Sequence, residues 1–301
     1  MKRFLIKITI FGVVILSSML LVFLNADGKS DPFYKKFTTS KQSSLFLGSS
    51  RVAHGIIPSV INNELKEIKS YNYAFTYNTS GYGPTYLNSI KRKLDTTVKD
   101  QIFILGVNPW ALSNNSEDPN DLDLFLEKNS FLGTLTTVNS NPNFNYLIHN
   151  YSEPYIKILY NRTPFIVDDD GYLKLILPLT AKRALEKEQE SIANFTEVSN
   201  DYLFSTLRLS YLKETILYLK PYGDVYVLRM PIGKGLFNVE KEFMPNFDEM
   251  MHDLTSEMNI SYLNFTNEVN DYHYIDGHHL FPESANKLSL EIATRIKPLN
   301  Q

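Results

Sequence analysis

A chain of 301 residues, 43% of them hydrophobic, is long enough for one large globular domain and an appendage. Its net charge of −3 and the lack of any basic stripe argue against nucleic acid as a partner. Cysteine is absent, which excludes disulfides, zinc–thiolate sites and a cysteine nucleophile.

Lys2 and Arg3 precede a largely apolar run over residues 4–24 in which Lys7 is the one charge. As a helix this run is about 30 Å long, the thickness of a bilayer's hydrocarbon core. Lys7 lies close enough to the start to snorkel toward the headgroups beside Lys2 and Arg3. The run is apolar all round rather than striped, which disfavours a buried core helix. Leu24-Asn25-Ala26-Asp27 is a poor cleavage site, so residues 1–28 read first as an uncleaved signal anchor and second as a cleaved signal peptide. The basic start should stay cytoplasmic, which sends the remainder outside, to a periplasm or cell surface.

Residues 29–43 are polar and read as a linker. From 44 to 301 the pattern is that of one domain. An apolar run at 44–47 ends in Gly48-Ser49-Ser50. Val60, Ile61, Leu65 and Ile68 recur at helical spacing and predict a helix over about 58–69. A strand at 71–75 and a helix at 84–94 lead to the clearest strand, 101–106, almost continuously apolar as strands buried on both faces are. Helix 202–219 precedes strand 224–228, helix 239–258 precedes strand 260–265, and a last helix covers 282–296. Such alternation implies βαβ units and a three-layer α/β/α domain around a parallel sheet of about five strands. Residues 112–200, rich in Asn, Ser, Pro and Tyr, interrupt it, with a turn at Asp168-Asp169-Asp170-Gly171 before a strand-like 172–177. They read as an insertion over the sheet edge, and as a lid by hypothesis.

In open α/β sheets ligands bind at the carboxyl ends of strands. There this sequence carries Gly48-Ser49-Ser50-Arg51, Gly106-Val107-Asn108-Pro109-Trp110 and, before the last helix, Asp276-Gly277-His278-His279. A serine hydroxyl becomes a nucleophile when an imidazole takes its proton, and the imidazole needs a carboxylate to fix its tautomer. Asp276 and His279, three apart, can be delivered by one short loop. An asparagine amide aimed at the developing oxyanion contributes roughly 2.7–4 kcal/mol.

This constellation resembles the SGNH, or GDSL-like, hydrolase superfamily. Gly48-Ser49-Ser50 stands for its Gly-Asp-Ser, Gly106-Val107-Asn108 for its Gly-x-Asn, and Asp276-Gly277-His278-His279 for its Asp-x-x-His. Ser49 and Pro109 depart from the pattern, each occupying an aspartate position. The resemblance implies a flavodoxin-like fold and a triad of Ser50, His279 and Asp276. It also implies an oxyanion hole from the Ser50 N–H, Asn108 and a glycine, Gly81 in preference to Gly83. Gly-Ser-Ser-Arg with an N-terminal anchor is closest to the subgroup of teichoic acid D-alanylation and alginate O-acetylation proteins. That subgroup implies an extracytoplasmic esterase or O-acyltransferase acting on acyl groups of cell-envelope glycans or lipids. The alternative is an inactive relative, or an accessory of a membrane O-acyltransferase.

Ser49 is the rival nucleophile. Arg51 could hold a substrate carboxylate or phosphate, or simply form a salt bridge. Trp110, the one tryptophan, could stack on a sugar or anchor the insertion. His273, Asp276, His278 and His279 cluster, with His54 the one further candidate, but nothing completes a metal site, so neither metal nor cofactor is expected.

Overall fold

A computed structural model describes residues 1–66, 68–160, 164–176 and 179–296. Glu67 in the expected helix 58–69, Leu177 in the expected strand 172–177, and 297–301 of the domain lie outside the described residues.

Helix α1 (Lys2–Phe23) is apolar, long enough to cross a membrane, and exposed along almost its whole length. Among the described residues it meets the domain at its C-terminal end, where Met19 and Val22 pack on the core and Phe23 is buried. The segment 29–43 is not the expected linker. Asp31 caps helix α2 (Pro32–Thr38) by accepting the Phe33 and Tyr34 N–H groups, and Pro32 supplies the preset first turn. Phe37 of this helix is fully buried. Lys93 reaches across to donate to the carbonyls of Phe37 (2.8 Å) and Thr39 (2.7 Å), so the chain here is fastened rather than free.

Five parallel strands form the sheet: β1 (Ser44–Leu47), β2 (Ser70–Asn72), β3 (Gln101–Val107), β4 (Gly223–Arg229) and β5 (Ser261–Asn264). Their order is β2-β1-β3-β4-β5, with all four pairings parallel. β1, β2 and β3 are buried at every position, which is why residues 45–47 and 102–105 read as unbroken apolar runs, whereas β2 is the short polar-flanked Ser-Tyr-Asn. One apolar layer packs α5 (Pro84–Lys93), α9 (Thr206–Leu219) and α11 (Phe247–Glu257) against one face of the sheet. The other packs α3 (Ser50–Gly55), α4 (Pro58–Leu65) and α12 (Pro282–Ile296) against the opposite face. The α/β/α layering is the one the alternation implied.

Beyond the linker, the expected helix 58–69 stops at Leu65, strand 71–75 is Ser70–Asn72, and two further elements differ from the sequence reading. The expected helix 239–258 is two helices, α10 (Lys234–Phe243) and α11, because Pro245 cannot continue an α-helix. The start of 202–219 is extended: Leu203–Phe204 pairs antiparallel with Ser113–Asn114, and Ser205 then caps α9.

The insertion holds the short helices α6 (Phe144–His149) and α7 (Lys157–Tyr160) and the hairpin Phe165–Val167/Leu173–Leu175. It ends in the long helix α8 (Ala181–Val198), which packs against α10.

Candidate active site

β1 ends at Gly48, whose φ of +134° is a conformation side-chain-bearing residues rarely adopt. A Cβ there would sit 2.9 Å from the Gly106 carbonyl oxygen, so glycine lets the ends of β1 and β3 approach. The peptide is fixed on both sides: Gly48 N–H donates to Tyr86 Oη (3.1 Å), and Ser80 Oγ donates to the Gly48 carbonyl (2.7 Å). Ser50 then opens α3, with Ser49 at the cap position and no side chain closing that end.

The second part comes from the loop before α12. Gly277 turns it with φ +86°, and Ile275 N–H donates to the His279 carbonyl at 2.7 Å, closing a tight loop. Within it Asp276 Oδ1 accepts the His279 backbone N–H (3.0 Å), while Oδ2 meets His279 Nδ1 at 2.8 Å. Nε2 of the same ring lies 2.8 Å from Ser50 Oγ. A proton held on Nδ1 by the carboxylate leaves Nε2 free to accept from the serine hydroxyl.

Burial works against the Asp276 carboxylate. The hydrogen bond and charge of His279, with His278 and the backbone N–H, nonetheless hold it well below the usual carboxylate range. His54 and His278 flank His279, with ring centroids 4.8 and 4.0 Å from it. Burial, and then the neighbouring His279, push both well below the ordinary histidine value, so they are neutral neighbours.

Asn108, at the end of β3, separates the roles of the two serines. Its Oδ1 accepts the Ala111 N–H (3.0 Å), which turns its amide nitrogen toward Ser49 Oγ at 3.2 Å. The Ser49 hydroxyl is thus engaged by Asn108 and the Ser50 hydroxyl by His279. Both serines border a cavity of about 390 Å³ together with Asn108, Asp276 and His279.

Three expected site residues stand differently. Gly81 lies beneath Arg208, where a Cβ would fall 2.5 Å from Nη1, and Arg208 is itself locked to Glu127 (2.8 and 3.0 Å). The chain leaving β2 turns earlier, at Thr76, whose carbonyl accepts the Thr79 and Ser80 N–H groups. Thr76 and Tyr77 therefore line the cavity at that level. Arg51 borders the cavity, but its guanidinium is committed to Glu240 Oε1 at 2.7 Å. Trp110 also borders it, donates to the same oxygen at 3.0 Å, and stacks on Phe243 with centroids 4.6 Å apart. Glu240 is 1% exposed and binds Arg229 as well, at 3.2 Å.

Sequence reasoning missed Glu240, and missed that α8 supplies a cavity wall through Lys187, Glu190, Ser191, Asn194 and Phe195. No local signal points an insertion helix at a strand end formed more than a hundred residues away. Asp276, His278 and His279 also bring ligand-type atoms within 4.8 Å of one another. Both ring nitrogens of His279 are already engaged, by Asp276 and Ser50, so a cation there would have to break that chain.

No family model matches the chain, and no curated protein matches it. Among solved structures it is similar to a carbohydrate acetylesterase from Sinorhizobium meliloti, with 13% identity and a TM-score of 0.40 over 85% of this chain and 98% of that one. A second crystal structure is similar at 8% identity and a TM-score of 0.31, over 85% and 97% of the two chains.

Proposed function

We propose that the chain is a serine esterase or O-acyltransferase, anchored by α1 (residues 1–28 with its flanks) and carrying its catalytic domain on the extracytoplasmic side. One observation carries the chemistry: the hydrogen-bonded chain Ser50 Oγ–His279 Nε2, His279 Nδ1–Asp276 Oδ2, with both contacts at 2.8 Å, opening on a cavity at the strand ends.

Ser50 Oγ attacks the ester carbonyl carbon while its proton passes to His279 Nε2. Asp276 stabilises the imidazolium and keeps its orientation. The oxyanion is met by the Ser50 N–H at the open end of α3 and by the Asn108 amide. His279 returns the proton to the leaving alcohol oxygen, giving an acyl-serine. An incoming hydroxyl then gives its proton to Nε2 and attacks the acyl carbon; the bond from that carbon to Ser50 Oγ breaks, and Nε2 returns the proton to Oγ. Water as acceptor makes an esterase; a glycan hydroxyl makes an O-acyltransferase. Acyl esters of cell-envelope glycans or lipids are the substrate class that a membrane-anchored site meets. Full-length protein in detergent should hydrolyse a small activated acetyl ester with no partner present, and Ser50→Ala should reduce that rate to background. Equal rates for the two proteins would remove the proposal.

A further inference from the structure

We infer that the surface built by α6 and α7 is a membrane-contact collar, seated in the edge of the same bilayer that α1 crosses, with lipid as its occupant. This rests on α1 being an anchor and is independent of the acyl chemistry.

The anchor has no length to spare. From Phe4 to Phe23 it runs about 30 Å, the thickness of the hydrocarbon core alone. Yet its last turn is held by the domain. Phe23 is 2% exposed, with its ring 4.9 Å from Tyr155 and 6.0 Å from Phe144, and Met19 and Val22 pack on the same core. The groups gripping that turn therefore lie where hydrocarbon gives way to headgroups.

At that level the domain faces outward with apolar side chains. Phe144, Ile148, Ile156, Leu159 and Tyr160 are 45–70% exposed. Phe144 and Ile148 are four apart on the outer side of α6, while Tyr146 and Leu147 are buried. Single exposed apolar residues are ordinary on any protein, but five within residues 144–160, on the segment that holds the end of the anchor, are not scattered. Tyr160, with its ring and hydroxyl, and Lys157, with its apolar stem, are residue types suited to the headgroup level. Because α2 is packed rather than a flexible tether, a collar here fixes the domain's tilt on the membrane instead of letting it swing.

The chain has no cysteine, so single-cysteine variants carry one spin label each. Full-length Ile148→Cys, Ile156→Cys and Leu159→Cys, in liposomes of phosphatidylethanolamine and phosphatidylglycerol with no other protein, would be compared with two references. Leu16→Cys lies within α1, about two turns before its end, and Leu290→Cys is exposed on α12 in the opposite layer. Accessibility to oxygen relative to a water-soluble nickel chelate should be several-fold higher at the three collar positions than at Leu290→Cys, and should approach Leu16→Cys. Collar positions as open to nickel as Leu290→Cys, with Leu16→Cys protected, would overturn the collar and point to a protein partner or open water. Nickel access at Leu16→Cys would remove the anchor and the collar together, leaving the acyl chemistry standing.

Discussion

Replacing Glu240 by glutamine keeps the side chain's shape and removes one negative charge from between two buried guanidinium groups. In the folded protein the Arg51, Arg229 and Glu240 side chains are 6%, 4% and 1% exposed. Arg229 keeps a second carboxylate partner in Asp248, whereas Glu240 is the ion-pair partner described for Arg51. Removing one member of such a buried cluster costs about 3–5 kcal/mol, most of it the desolvation of the charge left behind. At roughly 2–4 °C per kcal/mol for a domain of this size, Glu240→Gln should melt roughly 6–20 °C below the parent. Thermal unfolding of the purified full-length protein in detergent reads this directly. An apolar pair, Arg51→Met with Glu240→Met, should be less costly than Glu240→Gln alone, since no buried charge is stranded at Arg51. A fall of less than about 2 °C for Glu240→Gln would refute the clamp. So would an Arg51→Met protein that melts normally but shows a raised KM, because Arg51 would then serve substrate rather than Glu240.

Three further outcomes are expected from other contacts. Asp276→Asn preserves the loop but loses the carboxylate that fixes the proton on Nδ1, so kcat on a small ester should fall about 10⁴-fold with the fold intact by circular dichroism. Glu127→Ala strands the buried Arg208, which also stacks 3.9 Å over Phe125, and should cost about 3–5 kcal/mol and open segment 112–200 to limited proteolysis. His54 has its value pushed below 6.5 by burial and by His279 and Lys36, with Asp276 and a backbone contact to Leu173 opposing. The unfolded state thus binds the proton first; the stability His54 contributes is complete above pH 6.5 and is lost as pH falls below it. Melting of His54→Phe should therefore depend less steeply on pH just below 6.5 than the parent's, with His278 among the groups that supply the slope that remains.

The sheet was legible because its strands obey a local rule. Residues 101–107 are apolar at nearly every position because both faces are covered, and Gly48 and Gly106 mark the two exits that must approach each other. The Asp276–His279 loop was equally legible, since three-residue spacing and a turn glycine are short-range features. Two misreadings ignored signals that were present. Asp31-Pro32 is a cap followed by a first-turn proline, and Pro245 is a helix breaker. Other features depend on distance in the chain. That Glu240 would meet Arg51 and Trp110, or that α8 would wall the cavity, is decided only by how α10 and α8 dock together. Gly81 misled for a related reason: glycine content marked a turn, while the register of the exit from β2 put Thr76 and Tyr77 at the cavity.

Of the two adjacent serines, Ser50 is the one whose hydroxyl the proposed chemistry activates. Treating full-length protein with a fluorophosphonate and locating the adduct by peptide mass spectrometry tests this directly. The geometry expects modification on Ser50, retained in Ser49→Ala and abolished in Ser50→Ala and His279→Ala. An adduct on Ser49, or labelling that survives Ser50→Ala, would contradict it.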